Sequence, residues 1–253
     1  MIVWLASYPQ SGAGFVRSLL SSYIFSKDGS FDSELLENID IFPNNSLFEK
    51  LGVNTNNDNE MYKNYIRSQE ILKKKNSIMF LKTYSCFVNT DKFKFTDRHN
   101  TLGVIYVVRD PRNIIPPYSQ DLNITQEQSL KYLLSETFLG KESQSHCTTY
   151  LGSWKNHFNS WKVFKRFNKY LLVRYEDLIN DTDKTFLNIL KFIAHLGRVN
   201  FALDEKKFEN TLKTTEIRKM SENEFKKFDQ VNINIRESLE KKLESEMEEL
   251  NYL

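Results

Sequence analysis

The sequence predicts an α/β fold with a central parallel sheet flanked by helices, and three stretches carry that prediction. MIVWLASYPQSGAGFVRSLL, LGVIYVVRDPRNIIPPYSQ and KYLLVRYEDLIND each hold a short apolar run that ends in polar residues. Apolar runs of this length bounded by turn signals read as buried strands, and strands separated by helical segments pair in parallel. The 253 residues, 40% hydrophobic and 13% aromatic, suffice for one sizeable core with no linker dividing it, so residues 1–253 are read as a single domain.

The first strand, Ile2 to Ala6, meets a Ser/Gly turn from Ser7 to Gly14, after which Phe15, Leu19, Leu20 and Tyr23 begin a helical apolar stripe. The turn therefore sits on a helix N-terminus, where backbone N–H groups lack intrahelical partners and the helix dipole adds partial positive charge. Gly12 and Gly14 let a ligand approach closely, so the expected ligand is an anion. A nucleoside-triphosphate loop needs G-x-x-x-x-G-K-[ST]; Phe15 follows Gly14 here, which disfavours ATP and GTP. A dinucleotide fingerprint needs a third glycine where Val16 and Arg17 stand. Taken alone, the stretch is equally well explained as a strand-turn-helix corner that binds nothing.

The second strand tips that balance. Val104 to Val108 ends in Arg109, ahead of a turn at Asp110-Pro111 and a helix start. A guanidinium at the end of a central strand lies where open α/β sheets bind ligands, and it meets a phosphate in two parallel hydrogen bonds. The third stretch repeats the pattern with Arg174, Tyr175, Glu176 and Asp177. Elsewhere, helical stretches are expected near Ser33 to Ile39 and Glu60 to Lys73, and again over Thr125 to Thr137; Gly140 to Thr149 reads as a loop able to act as a lid. Ser153 to Phe167 places Trp154, Phe158 and Trp161 on one helical face, which reads as core.

Bulk properties exclude several classes of function. With 35 basic and 33 acidic side chains the formal charge is +2, so no global field draws the chain to nucleic acid or a membrane surface, and neither is an expected partner. No early apolar run has the length or flanks of a signal peptide or membrane span. Cys86 and Cys147 lie far apart without metal-ligand spacing, which fits a reducing, cytoplasmic setting and no metal.

In chain order, WLASYPQSG, IMFLKTYS, VIYVVRDPRNII, GSWKNHFNSW, YLLVRYEDL and the terminal EMEELNYL resemble the sulfotransferase family that uses 3'-phosphoadenosine 5'-phosphosulfate (PAPS) and releases 3'-phosphoadenosine 5'-phosphate (PAP). The resemblance covers most of the chain. It implies a P-loop-like three-layer α/β/α fold and a small-molecule acceptor with a hydroxyl or amine. By resemblance, Ser11, Gly12, Ala13, Gly14 and Phe15 line the 5'-phosphosulfate, Arg109 the 3'-phosphate and Tyr175 the nucleoside. Lys82 is implied beside the leaving phosphate, with Tyr84 at the acceptor. The insertion over residues 26–76 either borders the acceptor pocket or forms a peripheral helical pair.

The departures from that pattern set the question of activity. The family's loop lysine is Gln10, its hydroxyl-bearing pair is Ala13-Gly14, and its tryptophan is Phe15. The base histidine is Tyr84, a phenol ordinarily protonated at neutral pH with a pKa near ~10. Pro117 stands where a serine or threonine reaches the 3'-phosphate, and Ser119 compensates only if the turn shifts. The Gly-containing basic loop near the C-terminus is replaced by KKFDQVNINIRES, where Lys226, Lys227 and Arg236 are the remaining cations. His146, in the lid segment, is the one histidine placed to swing over an acceptor; His99, His157 and His195 read as structural or solvated, and Glu176 as a buried structural partner. Two readings follow: a working sulfotransferase using Lys82, Tyr84 and Gln10, or a silent nucleotide-binding protein with a regulatory role.

Overall fold

The computed structural model describes residues 1–72, 78–89, 93–140, 147–215 and 231–253. Strand β1 (Ile2–Ser7) leads to helix α1 (Ala13–Phe25), and a 3-10 turn (Ser33–Asn38) leads to β2 (Ile39–Ile41). Helices α2 (Asn45–Lys50) and α3 (Asp58–Leu72) precede β3 (Met79–Thr83) and β4 (Thr101–Val108). Next come α4 (Pro111–Leu122), α5 (Gln126–Leu134), a two-residue hairpin of β5 (Leu139–Gly140) with β6 (Thr149–Tyr150), and α6 (Trp154–Trp161). Strand β7 (Tyr170–Arg174), helices α7 (Tyr175–Asn180), α8 (Thr182–Gly197) and α9 (Glu205–Thr215), and a C-terminal helix (Ile233–Glu249) complete the described chain.

Five strands form one parallel sheet in the order β2-β3-β1-β4-β7. The two-residue alternation of a strand divides its side chains between two cores. Ile2, Trp4 and Ala6 with Val104, Tyr106 and Val108 face one helical layer, which includes Trp154, Phe158, Trp161 and Leu239. Val3, Leu5, Ile105 and Val107 face the other, with Leu19, Leu20, Phe186 and Ile189. The expected three-layer α/β/α arrangement is therefore present, with near-continuous apolar strands because both faces are covered.

Several boundaries shift from the sequence reading. The stretch from 153 to 167 is α6 followed by a 3-10 turn (Lys162–Phe167), and its three aromatics are fully buried as core. The helix expected to run to Thr137 stops at Leu134, although its start carries a Thr125/Gln128 capping box. The segment from Gly140 to Thr149 begins and ends in the β5-β6 pair; its residues 141–146, which include His146, lie outside the described residues, as do Lys226 and Lys227.

All parallel strands end at the same edge of the sheet. Ala6 pairs with Thr83, Ser7 with Val107 and Val108 with Arg174, so Tyr8, Tyr84, Arg109 and Tyr175 emerge side by side. The chain moves from β1 outward to β3 on one side and to β4 on the other. Open α/β sheets bind ligands beyond the carboxyl ends of the strands at such a reversal.

Candidate functional site at the strand ends

Two cavities share a wall at this edge. The first, about 440 Å3, is lined by Gln10, Ser11, Gly12, Ala13, Gly14, Phe15, Tyr84, Arg109 and Tyr175. The second, about 660 Å3, lies between the β1-α1 loop, the ends of α4 and α5 and the β5-β6 pair, with Tyr118, Asp121, Tyr132 and Phe138 in its wall. Gln10 and Tyr84 line both.

The first cavity has the features of an anion site. Gly12 caps α1 with a left-handed backbone (φ 89°) and no side-chain cap bond; the Phe15 N–H donates to the Gly12 carbonyl at 3.0 Å, and the N–H groups of Ala13 and Gly14 are left for a ligand. The Ser11 hydroxyl is buried in the wall with no hydrogen-bond partner among the described residues. Arg109, 2% exposed, donates from Nη1 to the Gln10 carbonyl at 3.1 Å and stacks its guanidinium 4.6 Å from the Tyr175 ring centroid. A cation, free N–H groups and an unsatisfied hydroxyl converge on a space of ligand size, which fits a phosphorylated nucleotide.

The two loop glycines turn out to do different things. A Cβ on Gly12 would meet Tyr175 Cδ2 at 2.1 Å, whereas one on Gly14 would meet nothing within 4 Å. The sequence reading assigned both to close approach by the ligand. At Gly12 it is the Tyr175 ring that approaches, wedged between the loop and Arg109; Gly14 borders open space.

Lys82 and Tyr84 leave β3 on the same side of the cavity. Lys82 is buried, and its ammonium donates to the Tyr84 hydroxyl at 2.5 Å while lying 4.1 Å from the ring centroid. Tyr84, rather than Lys82, lines the cavity wall, so the charge of Lys82 is presented through the phenol. The Tyr84 backbone is held in turn by His157: its Nε2 lies 3.0 Å from the Tyr84 carbonyl and its Nδ1 lies 2.7 Å from the Tyr106 hydroxyl. A carbonyl can only accept, so Nε2 carries the proton and Nδ1 accepts from Tyr106. Burial lowers the His157 pKa to about 4, which keeps the ring neutral. His157 was read from the sequence as structural; its specific part is to anchor Tyr84.

Arg109 is set by the start of α4. Asp110 caps that helix by accepting from the Arg112 N–H at 2.9 Å, with Pro111 in the first turn. Arg112 pairs with Asp110 and Glu240 at 2.7 Å each and donates to the Tyr252 carbonyl, tying β4 to the C-terminal helix. Glu176 accepts from the Asp110 N–H at 3.0 Å and the Tyr252 hydroxyl at 2.8 Å, as a structural partner. Ser119 donates within α4 to the Pro116 carbonyl, and neither it nor Arg236 lines the described cavity wall. His99 and His195 are exposed. Cys86 and Cys147 are buried thiols that form no disulfide. No helix among the described residues is long and apolar enough to cross a membrane.

Comparison with known proteins adds the family. Residues 2–249 match a family model described as the sulfotransferase domain. The chain is 29% identical over 128 residues to a 3-alpha-hydroxysteroid sulfotransferase of Cavia porcellus, covering 49% of this chain and 40% of that protein. It is 25% identical over 127 residues to sulfotransferase 2A1 of Homo sapiens, covering 49% and 41%. Those matches span about two fifths of the relatives' length. In overall fold the chain is similar to mouse sulfotransferase SULT7A1 complexed with PAP (TM-score 0.56, 15% identity, covering 98% of this chain and 84% of that one). It is also similar to retinol dehydratase in a complex with retinol and PAP (TM-score 0.60, 12% identity, covering 97% and 81%).

Proposed function

Because the chain belongs to the sulfotransferase domain family, we propose that it transfers a sulfuryl group from PAPS to a hydroxyl or amine of a small-molecule acceptor. The observation that carries this reading is the pair of cavities joined at Gln10 and Tyr84, one with the features of an anion site and the other with a mixed polar and aromatic wall. A sulfuryl donor and its acceptor need that arrangement, since in-line displacement requires the two reactants on opposite sides of the moving group.

In this reading PAPS supplies an activated sulfuryl group and a good leaving group. The loop N–H groups from Gly12 to Gly14 and the Ser11 hydroxyl hold the phosphosulfate oxygens beside Phe15, and Arg109 holds the 3'-phosphate, with Tyr175 beneath it at the nucleoside. The acceptor oxygen or nitrogen forms its bond to sulfur as the bond from sulfur to the phosphate oxygen breaks; the acceptor's proton passes to water. Tyr84 accepts a hydrogen bond from Lys82, which places a buried positive charge directly behind the phenol at the wall between the two cavities. Tyr84 therefore positions the acceptor at the junction, and the Lys82 charge behind it offsets the negative charge that develops on the departing phosphate and sulfuryl oxygens. Gln10, neutral, orients at the junction.

A silent nucleotide-binding role is the second reading. It is favoured by Gln10, whose amide is engaged by Asp121 at 3.2 Å. Calorimetric titration with PAP and with its 3'-dephosphorylated analogue tests the nucleotide site, with tighter binding of PAP expected. Transfer of radiolabelled sulfate from PAPS to a panel of phenols and amines then separates the two readings: PAP binding without transfer to any acceptor leaves only the silent one.

A further inference from the structure

The acceptor-side cavity has one feature that the reaction itself does not require. Among its lining residues Asp121 is the only one that carries charge at neutral pH; three others are tyrosines and most of the rest are apolar. Asp121 sits in the last turn of α4, which holds no basic residue, so the carboxylate adds to the negative end of the helix dipole. Among the described residues it has no ion-pair partner, and its contact is the Gln10 amide. A local negative potential of this kind, with no ion pair to it among the described residues, is complementary to a bound cation.

The walls around it suit the same ligand. Tyr132 and Phe138 are stacked with centroids 4.3 Å apart and planes at 16°, and Tyr118 lies in the same wall. The faces of such rings attract an ammonium group as well as an apolar body. Burial raises the Tyr118 pKa, with Tyr132 and Asp121 adding to the effect, so its phenol stays a neutral donor. Position matters too. The Gln10 side chain spans from the loop to Asp121, so the carboxylate stands within about 8 Å of the loop backbone, one extended glutamine side chain plus one hydrogen bond.

Resting on the sulfuryl-transfer reading above, we infer that the acceptor is a hydroxyl-bearing amine whose protonated nitrogen pairs with Asp121 while its hydroxyl reaches the Gln10/Tyr84 junction. The ammonium stays protonated throughout and is not sulfated. The acceptor thereby brings positive charge to a wall whose described lining residues carry none.

The experiment uses the full chain saturated with PAP and a matched pair of probes, tyramine and 4-propylphenol, which share a phenol and a side chain of equal length but differ in charge. Titration calorimetry is expected to show tyramine binding at least tenfold more tightly at pH 7, and Asp121→Asn should abolish that preference while leaving PAP affinity unchanged. Asp121 is exposed, so the variant tests recognition rather than folding, and its melting temperature confirms it. Equal affinity for the two probes, or a preference that survives Asp121→Asn, overturns the inference. If PAP itself fails to bind the wild-type chain, it is the underlying nucleotide reading that fails, which the first titration reveals separately.

Discussion

The two cavities at the sheet edge are built on different principles. The anion-side cavity takes its walls from the ends of four adjacent parallel strands, whose positions are locked by pairing across the sheet. The acceptor-side cavity takes most of its walls from the ends of α4 and α5 and from a two-residue hairpin, where Leu139 is 45% exposed. Strand ends held by a hydrogen-bonded sheet are rigid, while helix ends and hairpins are the usual place for variation. The difference teaches that, under the proposed function, the strand-end side suits a constant group and the helix-end side can be altered without disturbing it.

Five substitutions probe that division. The largest effect is expected at Gly12: its backbone is left-handed, and a Cβ would collide with Tyr175, so Gly12→Val should abolish PAP binding in calorimetry. Gly14→Ala, with open space around the new methyl, should keep the wild-type melting temperature and retain PAP binding. Equal behaviour of the two variants would break the assignment of Tyr175 as the wedge on Gly12.

The next effect concerns pH. His157 has a folded pKa of about 4 against 6.5 unfolded, so the unfolded chain binds the extra proton between those values. The stability it contributes is fully present above pH 6.5 and is lost as pH falls toward 4, by about 3 kcal/mol. Denaturant titrations across that window should show the slope, and His157→Gln should remove it. The variant should also lower the transfer rate more than PAP affinity, because the anchor lost is that of Tyr84.

A smaller, more selective loss is expected at Arg109. Charge-assisted hydrogen bonds contribute roughly 1.5–3 kcal/mol, so Arg109→Met should weaken PAP about 10- to 150-fold and erase its advantage over the 3'-dephosphorylated nucleotide. The smallest effect is expected on the acceptor side. Phe138→Ala removes the stack on Tyr132, worth roughly 0.5–1.5 kcal/mol, and should raise the acceptor KM severalfold with PAP affinity unchanged. A change in PAP affinity there would show that the cavities are coupled rather than separate.

What the sequence determined by itself follows from contiguity. The strand-turn-helix of residues 2–20, Arg109 after its strand and Tyr175 after β7 are local patterns, because strand period, glycine freedom and helix starts are set by neighbouring residues. A parallel sheet then brings every strand end to one edge, so three local readings became one site. Tertiary structure alone decided the wedge of Tyr175 on Gly12 and the anchoring of Tyr84 by His157, 73 residues away in sequence. It also decided the acceptor cavity, where Gln10 meets Asp121 across 111 residues. No periodicity marks such residues, since their contacts depend on how helices from different parts of the chain pack over the sheet, and that packing is a property of the whole core rather than of any segment.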